Sequence, residues 1–166
     1  MKKKSVPAHS PEVRFMHEAL KLARQAAEKD EVPVGALIVQ GFSLGKKAKV
    51  IARAHNLTES KHDPCGHAEL LAIRAAAKKL KRWRLSDCTL VVTLEPCAMC
   101  AGAAVWSRLD RVVYGARDPK AGACGSVLQV ASNSALNHRV SLASGVLEDA
   151  CGELLRAFFR QKRKKA

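Results

Sequence analysis

Apolar positions along the chain follow two periods, and the switches between them lay out its elements. From Pro11 to Lys29 the residues Phe15, Ala19, Leu22, Ala23 and Ala26 recur at helical spacing. Val34 to Gln40 is a continuous apolar run of strand length, which predicts a buried strand. Gln40 to Lys49 interrupts it with two glycines and three lysines and predicts an exposed hairpin loop, with a second strand over Val50 to His55. A loop starts at Asn56. The stretch after His67, to Leu80, combines strong helix formers with a helical apolar repeat. Val91 to Leu94 predicts another buried strand, stopped at Glu95-Pro96, and Ala98 to Val105 a helix opened by Pro96, where a missing N–H costs nothing. Arg111 to Tyr114 and Val140 to Leu142 predict short strands on either side of a glycine-rich loop, Gly115 to Gly125, and Leu147 to Arg163 predicts a last helix. Strands alternating with helices imply one α/β domain with helices on both faces of a sheet.

Length agrees with a single domain, since 166 residues can bury a substantial core. The organisation expected is a flexible basic N-terminus over 1–10, one domain over 11–163 and a basic tail over 164–166. No apolar run is long enough to span a bilayer, and Met1-Lys2-Lys3-Lys4 leads into polar residues rather than the apolar stretch of a signal peptide. The net charge of +14 changes the picture more. Basic residues interleave with aromatics in Arg156-Ala157-Phe158-Phe159-Arg160 and on to Lys165, and again in Lys78-Lys79-Leu80-Lys81-Arg82-Trp83-Arg84. Cations hold phosphates and exposed rings stack on unpaired bases, the usual pairing for single-stranded nucleic acid. Phe159 is expected to be a core residue of the terminal helix, whereas Phe158 fits core and stacking positions equally.

The chemistry-bearing residues form a split group, His67-Ala68-Glu69 and Pro96-Cys97-Ala98-Met99-Cys100. His67, Cys97 and Cys100 supply the imidazole and thiolates that zinc prefers, and three protein ligands leave a position open, as catalytic zinc sites do. Cys97 and Cys100 are three apart, so both sulfurs fall on one face of a first helical turn. His67 and Glu69 fall in the first turn of the other helix. Two helix N-termini then point at the metal and favour thiolate over thiol. Glu69 lies close enough to move protons without binding the ion, and Glu95, at a strand end before a proline, suits a structural role. A C-x-x-C pair can equally be half of a four-ligand structural site, for which Cys65 is the nearest extra ligand and Cys88 a weaker one. Cys124 and Cys151, like Cys88, sit among apolar or small residues and are expected to be buried free thiols. A cysteine-based zinc site without an export signal implies a reducing cytoplasm.

H-x-E with P-C-x-x-C is the known signature of zinc nucleobase deaminases. On these residues, with Glu31-Val32-Pro33-Val34-Gly35-Ala36, His62-Asp63-Pro64, Val112-Val113-Tyr114-Gly115-Ala116-Arg117-Asp118, Asn137-His138-Arg139-Val140 and Phe158-Phe159-Arg160, the chain resembles the bacterial tRNA-specific adenosine deaminases of the cytidine deaminase-like superfamily. The resemblance runs from about Phe15 to Arg163. It implies a three-layer α/β/α cytidine deaminase-like fold with a five-stranded mixed sheet, a homodimer, and one zinc per subunit on His67, Cys97 and Cys100. It implies hydrolytic deamination of adenosine to inosine at the first anticodon position of a tRNA, with Glu69 shuttling protons. Asn56 would contact the base, Asp118 a ribose hydroxyl of a neighbouring nucleotide, and Phe158 and Arg160 the anticodon stem-loop. A deaminase of free bases or nucleosides shares the ligand set but would not need the basic aromatic tail. A non-catalytic nucleic-acid-binding module would explain the charge but not Glu69. The 41–49 loop is longer than the family hairpin, and Cys65 stands unusually close to the metal histidine.

Overall fold

The computed structural model of the chain describes residues 10–44 and 47–165, so the expectation for the N-terminal arm, like part of the 41–49 loop, lies outside the described residues. Helix α1 (Pro11–Glu28) starts where Ser10 accepts the Val13 N–H at 3.3 Å, a side-chain cap with proline in the first turn. Strands β1 (Gly35–Gln40) and β2 (Lys49–His55) form the hairpin, with a single 3₁₀ turn at Phe42–Leu44 inside the loop. A four-residue helix α2 (Thr58–Lys61) precedes α3 (Ala68–Leu80), β3 (Cys88–Leu94), α4 (Ala98–Trp106), β4 (Arg111–Ala116), β5 (Ser141–Ala143) and α5 (Glu148–Lys165). The basic tail expected from residue 164 therefore begins as part of α5 through Lys165.

The five strands form one mixed sheet in the order β2-β1-β3-β4-β5. β1 pairs antiparallel with β2 and β3, whereas β3–β4 and β4–β5 are parallel. A parallel pair needs a crossover, and α4 supplies it between β3 and β4. Alternate residues then divide between two cores. Ile38, Leu90, Val92 and Val112 pack with Ala72, Ile73, Ala101 and Ala104 of α3 and α4 on one face. Leu37, Val39, Val91 and Val113 pack with Phe15, Met16 and Leu20 of α1 and Cys151 of α5 on the other. The three-layer expectation holds. α1 sits so close to β1 that a Cβ on Gly35 would fall 2.1 Å from the Ala19 carbonyl oxygen, so the contact requires glycine. Among the described residues no helix is long and apolar enough to cross a membrane.

The unpredicted helix α2 owes its place to tertiary contacts. Glu31 is fully buried, and its carboxylate accepts the backbone N–H groups of Glu59 and Ser60, at 3.0 and 2.7 Å, and the Ser60 hydroxyl at 2.7 Å. Burial raises the Glu31 carboxyl, but the donors of Ser60, Glu59 and Thr58 outweigh it and hold the group below its ordinary 4.5. A carboxyl lowered on folding contributes stability above its unfolded value and loses it as pH falls through the folded one. Glu31→Gln is therefore expected to cost roughly 1.5–3 kcal/mol at pH 7, the worth of hydrogen bonds to a charged group. In denaturant titrations the gap from the parent should narrow as pH drops below 4.5. A gap that stays constant with pH would refute the charged cap.

Candidate active site

The carboxyl ends of β3 and β4, which run parallel, open onto the N-terminal ends of α3 and α4. His67 is the N-cap residue of α3 and Cys97 that of α4, both with extended backbone, and Cys100 completes the first turn of α4. The helix opens at Ala98, as the sequence predicts, with Pro96 just before its N-cap. Cys97 is held extended by a bridge to Gly122, and the Pro96 carbonyl accepts the Ala123 N–H at 2.8 Å.

The His67 Nδ1 atom lies 3.7 Å from Cys97 Sγ and 3.6 Å from Cys100 Sγ, and all three donor atoms fall within 4.8 Å of one another. Zinc–nitrogen and zinc–sulfur bonds at a tetrahedral angle place such atoms about 3.6 Å apart, so the donor set fits that ion. Among the described residues no fourth Cys, His, Asp or Glu joins the group. Cys65 is exposed and its N–H donates to Asp63, while Cys88 is a buried free thiol, so neither closes a four-ligand structural site. The hydrogen bond between the two sulfurs lowers Cys97 and raises Cys100, and Cys97 in turn raises His67. Burial pushes Cys88, Cys124 and Cys151 up to about 12, so they are inert thiols.

Glu69 is 4% exposed on the first turn of α3, facing Cys97 and Cys100, and burial pushes its carboxyl up to about 7. A carboxyl poised near neutrality can take a proton and give it back. Asn56, 7% exposed, accepts the Ala68 N–H through Oδ1 at 2.9 Å. It thereby caps α3, a role hidden in the sequence because its partner is twelve residues away. With the oxygen committed, its two amide N–H donors are the remaining capacity for a ligand.

Glu95 is an anchor rather than a second acid. It is 1% exposed and accepts the N–H groups of Asp118, Cys124 and Ser126 at 3.1, 3.0 and 3.0 Å, plus the Ser126 hydroxyl. It so fastens the loop after β4 beside Cys97. A Cβ on Gly122 would sit 2.5 Å from the Glu95 carboxyl carbon, so this packing also requires glycine.

Outside the metal group, a groove of about 900 Å³ runs between that loop and α5, lined among others by Arg117, Asp118, Lys120, Arg156, Phe159 and Arg160. Asp118 Oδ1 accepts the N–H groups of Lys120 and Ala121, and Arg160 donates to Glu153 at 2.6 Å. Phe159 departs from its expected core position, and Phe158, which fitted either place, is the buried ring. Phe158 is 8% exposed, beside Ala27 and Glu28 at the end of α1, with the Lys162 Nζ 5.6 Å from its ring. Phe159 is 43% exposed and faces the groove, so the ring available for stacking there is Phe159 and not Phe158. The missed signal was the stripe Leu147, Cys151, Leu154, Phe158, spaced four, three and four, which sets the buried face of α5.

Residues 11–163 match the MafB19-like deaminase family. The tRNA-specific adenosine deaminase of Bacillus subtilis (strain 168) is 50% identical over 151 residues, which cover 91% of this chain and 90% of that protein. A solved structure from a study of A-to-I editing by tRNA:A34 deaminases at the wobble position of transfer RNA superposes with a TM-score of 0.79 at 42% identity, covering 86% of this chain and 99% of its own. A guanine deaminase from Nitrosomonas europaea superposes at 0.75 with 28% identity, covering 90% of this chain and 84% of its own. With the three-donor group, the buried glutamate and the fold in agreement, the chain belongs to the tRNA-specific adenosine deaminases.

Proposed function

We propose that this protein hydrolyses adenosine to inosine at the first anticodon position of a tRNA, using one zinc per subunit held by His67, Cys97 and Cys100. The observation that carries the reading is a donor set with an open position and a buried carboxylate on the adjoining helical turn. When bound, the ion supplies the Lewis acidity that makes water a nucleophile near neutral pH. Glu69 takes one proton from the attacking water and passes it to N1 of the purine; it then takes the remaining proton of the hydroxyl added at C6 and gives it to the amine, so adenosine and water become inosine and ammonia. Asn56 orients the base through its free amide donors. Asp118, Phe159 and Arg160 hold flanking nucleotides in the groove, and the target base leaves its stack cheaply because an anticodon loop is already partly unpaired.

A homodimer belongs to the same reading. Met99 and Trp106 on α4 and Val127 and Leu128 on the loop bound to it are exposed, Trp106 at 72%. Large apolar side chains grouped in this way mark an association surface, and a second copy of the chain is its occupant. Free thiols and a thiolate metal site suit a cytoplasmic enzyme. The single-domain reading of 11–163 coincides with the span of the family match.

The test is to incubate the purified protein with a tRNA anticodon stem-loop and to look for inosine. Inosine should form at one position only, and free adenosine should react far more slowly because it forgoes the remote contacts that orient the base. Free adenosine, guanine or cytosine turned over as efficiently as the stem-loop would overturn the tRNA reading and leave a small-molecule deaminase.

A further inference from the structure

Arg160, assigned above to a flanking nucleotide, is already engaged. Its guanidinium donates to Glu153 Oε1 at 2.6 Å, and the Arg156 Nε donates to Oε2 of the same carboxylate at 3.0 Å. Glu153 therefore bridges two cations, which hold its carboxyl below its ordinary 4.5, Arg160 foremost. Arg156, Phe159, Arg160 and Arg163 recur at i, i+3, i+4 and i+7, so they share the face of α5 that lines the groove. Glu153 stands about one turn before Arg156 on that face. From Ala150 to the end of the chain it is the only acidic residue, against six basic ones. The helix is anchored from its other side. Cys151 belongs to the core shared with α1, Phe158 is buried beside Ala27, and Lys162 pairs with Asp30 at 2.5 Å. The arginines can thus change partner without any movement of α5. A carboxylate gripped by two guanidiniums sits where two phosphate oxygens would sit, since arginine takes both anions through the same donors. One negative charge against two positive ones also leaves the trio net cationic.

We propose that Glu153 stands in for substrate: its carboxylate fills an anion subsite on Arg156 and Arg160 that a backbone phosphate beside the target nucleotide takes over on binding. The inference rests on the tRNA reading given above and adds to it a residue that sets affinity. The energetics favour exchange. All three side chains are more than half exposed, and ion pairs so exposed contribute little and are weakened by salt. An arginine–phosphate contact is charge-assisted, and it releases condensed counterions that an intramolecular pair does not. Displacing Glu153 still offsets part of that gain, and the freed carboxylate stays beside the RNA backbone. Glu153 therefore weakens every polyanion that cannot engage both arginines, which discriminates against loosely seated RNA. The subsite holds ground and transition states alike, so Glu153 acts on KM and not on kcat.

The experiment measures KM, kcat and the salt dependence of binding on an anticodon stem-loop. It compares the zinc-loaded parent, Glu153→Gln, Arg156→Ala/Arg160→Ala, and all three changes combined. Glutamine keeps the shape of the side chain and removes its charge. At ~0.15 M salt, charges more than about 8 Å apart are largely screened. Glu153→Gln is expected there to lower KM about two- to tenfold, the worth of two exposed ion pairs, with kcat unchanged from the parent. The arginine variant should raise KM about tenfold or more and flatten the salt slope by about 0.7, one phosphate contact. With the arginines gone, adding Glu153→Gln should change KM no further, because the residue acts through them. An equal gain in both backgrounds would reduce Glu153 to one negative charge among others and overturn the proposal. A KM for Glu153→Gln at or above the parent value would overturn it too, making the residue a prop that presents the arginines. So would an arginine variant that binds like the parent, since no subsite would then exist. Should the parent form no inosine in the stem-loop, the tRNA reading itself fails, a result distinct from an active parent with a silent Glu153→Gln.

Discussion

Glu69→Gln is expected to leave the protein folded and metal-bound while deamination falls to the bottom of the measurable range. General acid–base groups contribute ~10²–10⁴-fold, and a carboxylate that serves the attacking water, the ring nitrogen and the leaving amine in turn belongs at the upper end. The substitution keeps the shape of the side chain, so any loss comes from proton transfer. Burying a carboxyl at 4% exposure is an arrangement that packing alone would not retain, because a neutral group fills the same space without the cost of burial. Single-turnover rates on a stem-loop and metal content by elemental analysis check both halves. A rate within about tenfold of the parent would remove Glu69 from the mechanism on the same scale. Glu95→Gln is the control. Its carboxylate accepts donors from Asp118, Cys124 and Ser126, so its replacement should lower stability and loosen the loop beside Cys97. If Glu95→Gln were the more damaging to kcat while sparing stability, the roles of the two glutamates would be exchanged.

The part of this arrangement legible in the sequence is the part written locally. α1 and α3 were readable because their apolar stripes repeat at helical spacing and their ends carry ordinary signals, and β1 because its apolar run is short and bounded. The donor set was readable because each half of it sits within four residues of chain. The structural feature that joins the halves, two helix N-termini at the same end of the sheet, follows from the strand directions: α3 crosses from β2 to β3, which run the same way on either side of β1, and α4 from β3 to β4. What escaped was written across distance. Helix α2 exists because Glu31, twenty-eight residues earlier, caps it. Asn56 caps α3 from the end of β2, and neither residue type nor spacing announces that partner. β3 begins at Cys88 rather than Val91 because its first residues pair with Gln40 and Thr89 opposes Val39, a contact supplied by the neighbouring strand. Phe158 and Phe159 are adjacent, so a helix sends them about 100° apart. Only the phase of the whole stripe decides which one is buried.

Cys97→Ala is expected to abolish metal binding and deamination together. The two sulfurs and the His67 ring share one centre at separations of 3.6–3.7 Å between nitrogen and sulfur. Removing any one leaves two protein ligands, below the three that catalytic zinc sites keep. The thiolate is the stronger loss because it also carries the charge that offsets the ion. Its backbone position is set independently of the metal by the bridge to Gly122, so the fold should survive the change. Circular dichroism should remain that of the parent, and elemental analysis should fall from one zinc per subunit toward none. X-ray absorption of the parent should show one nitrogen and two sulfurs from the protein, with an oxygen in the remaining place. The spectrum is the sharper half of the test. A third sulfur would bring Cys65 into the centre, close the position that water needs, and turn a catalytic site into a structural one. Full metal retention in Cys97→Ala would dismiss the ligand assignment outright. Loss of metal with His67→Ala and Cys100→Ala alike, with Cys65→Ala unaffected, would establish the three-residue centre on which the proposed chemistry depends.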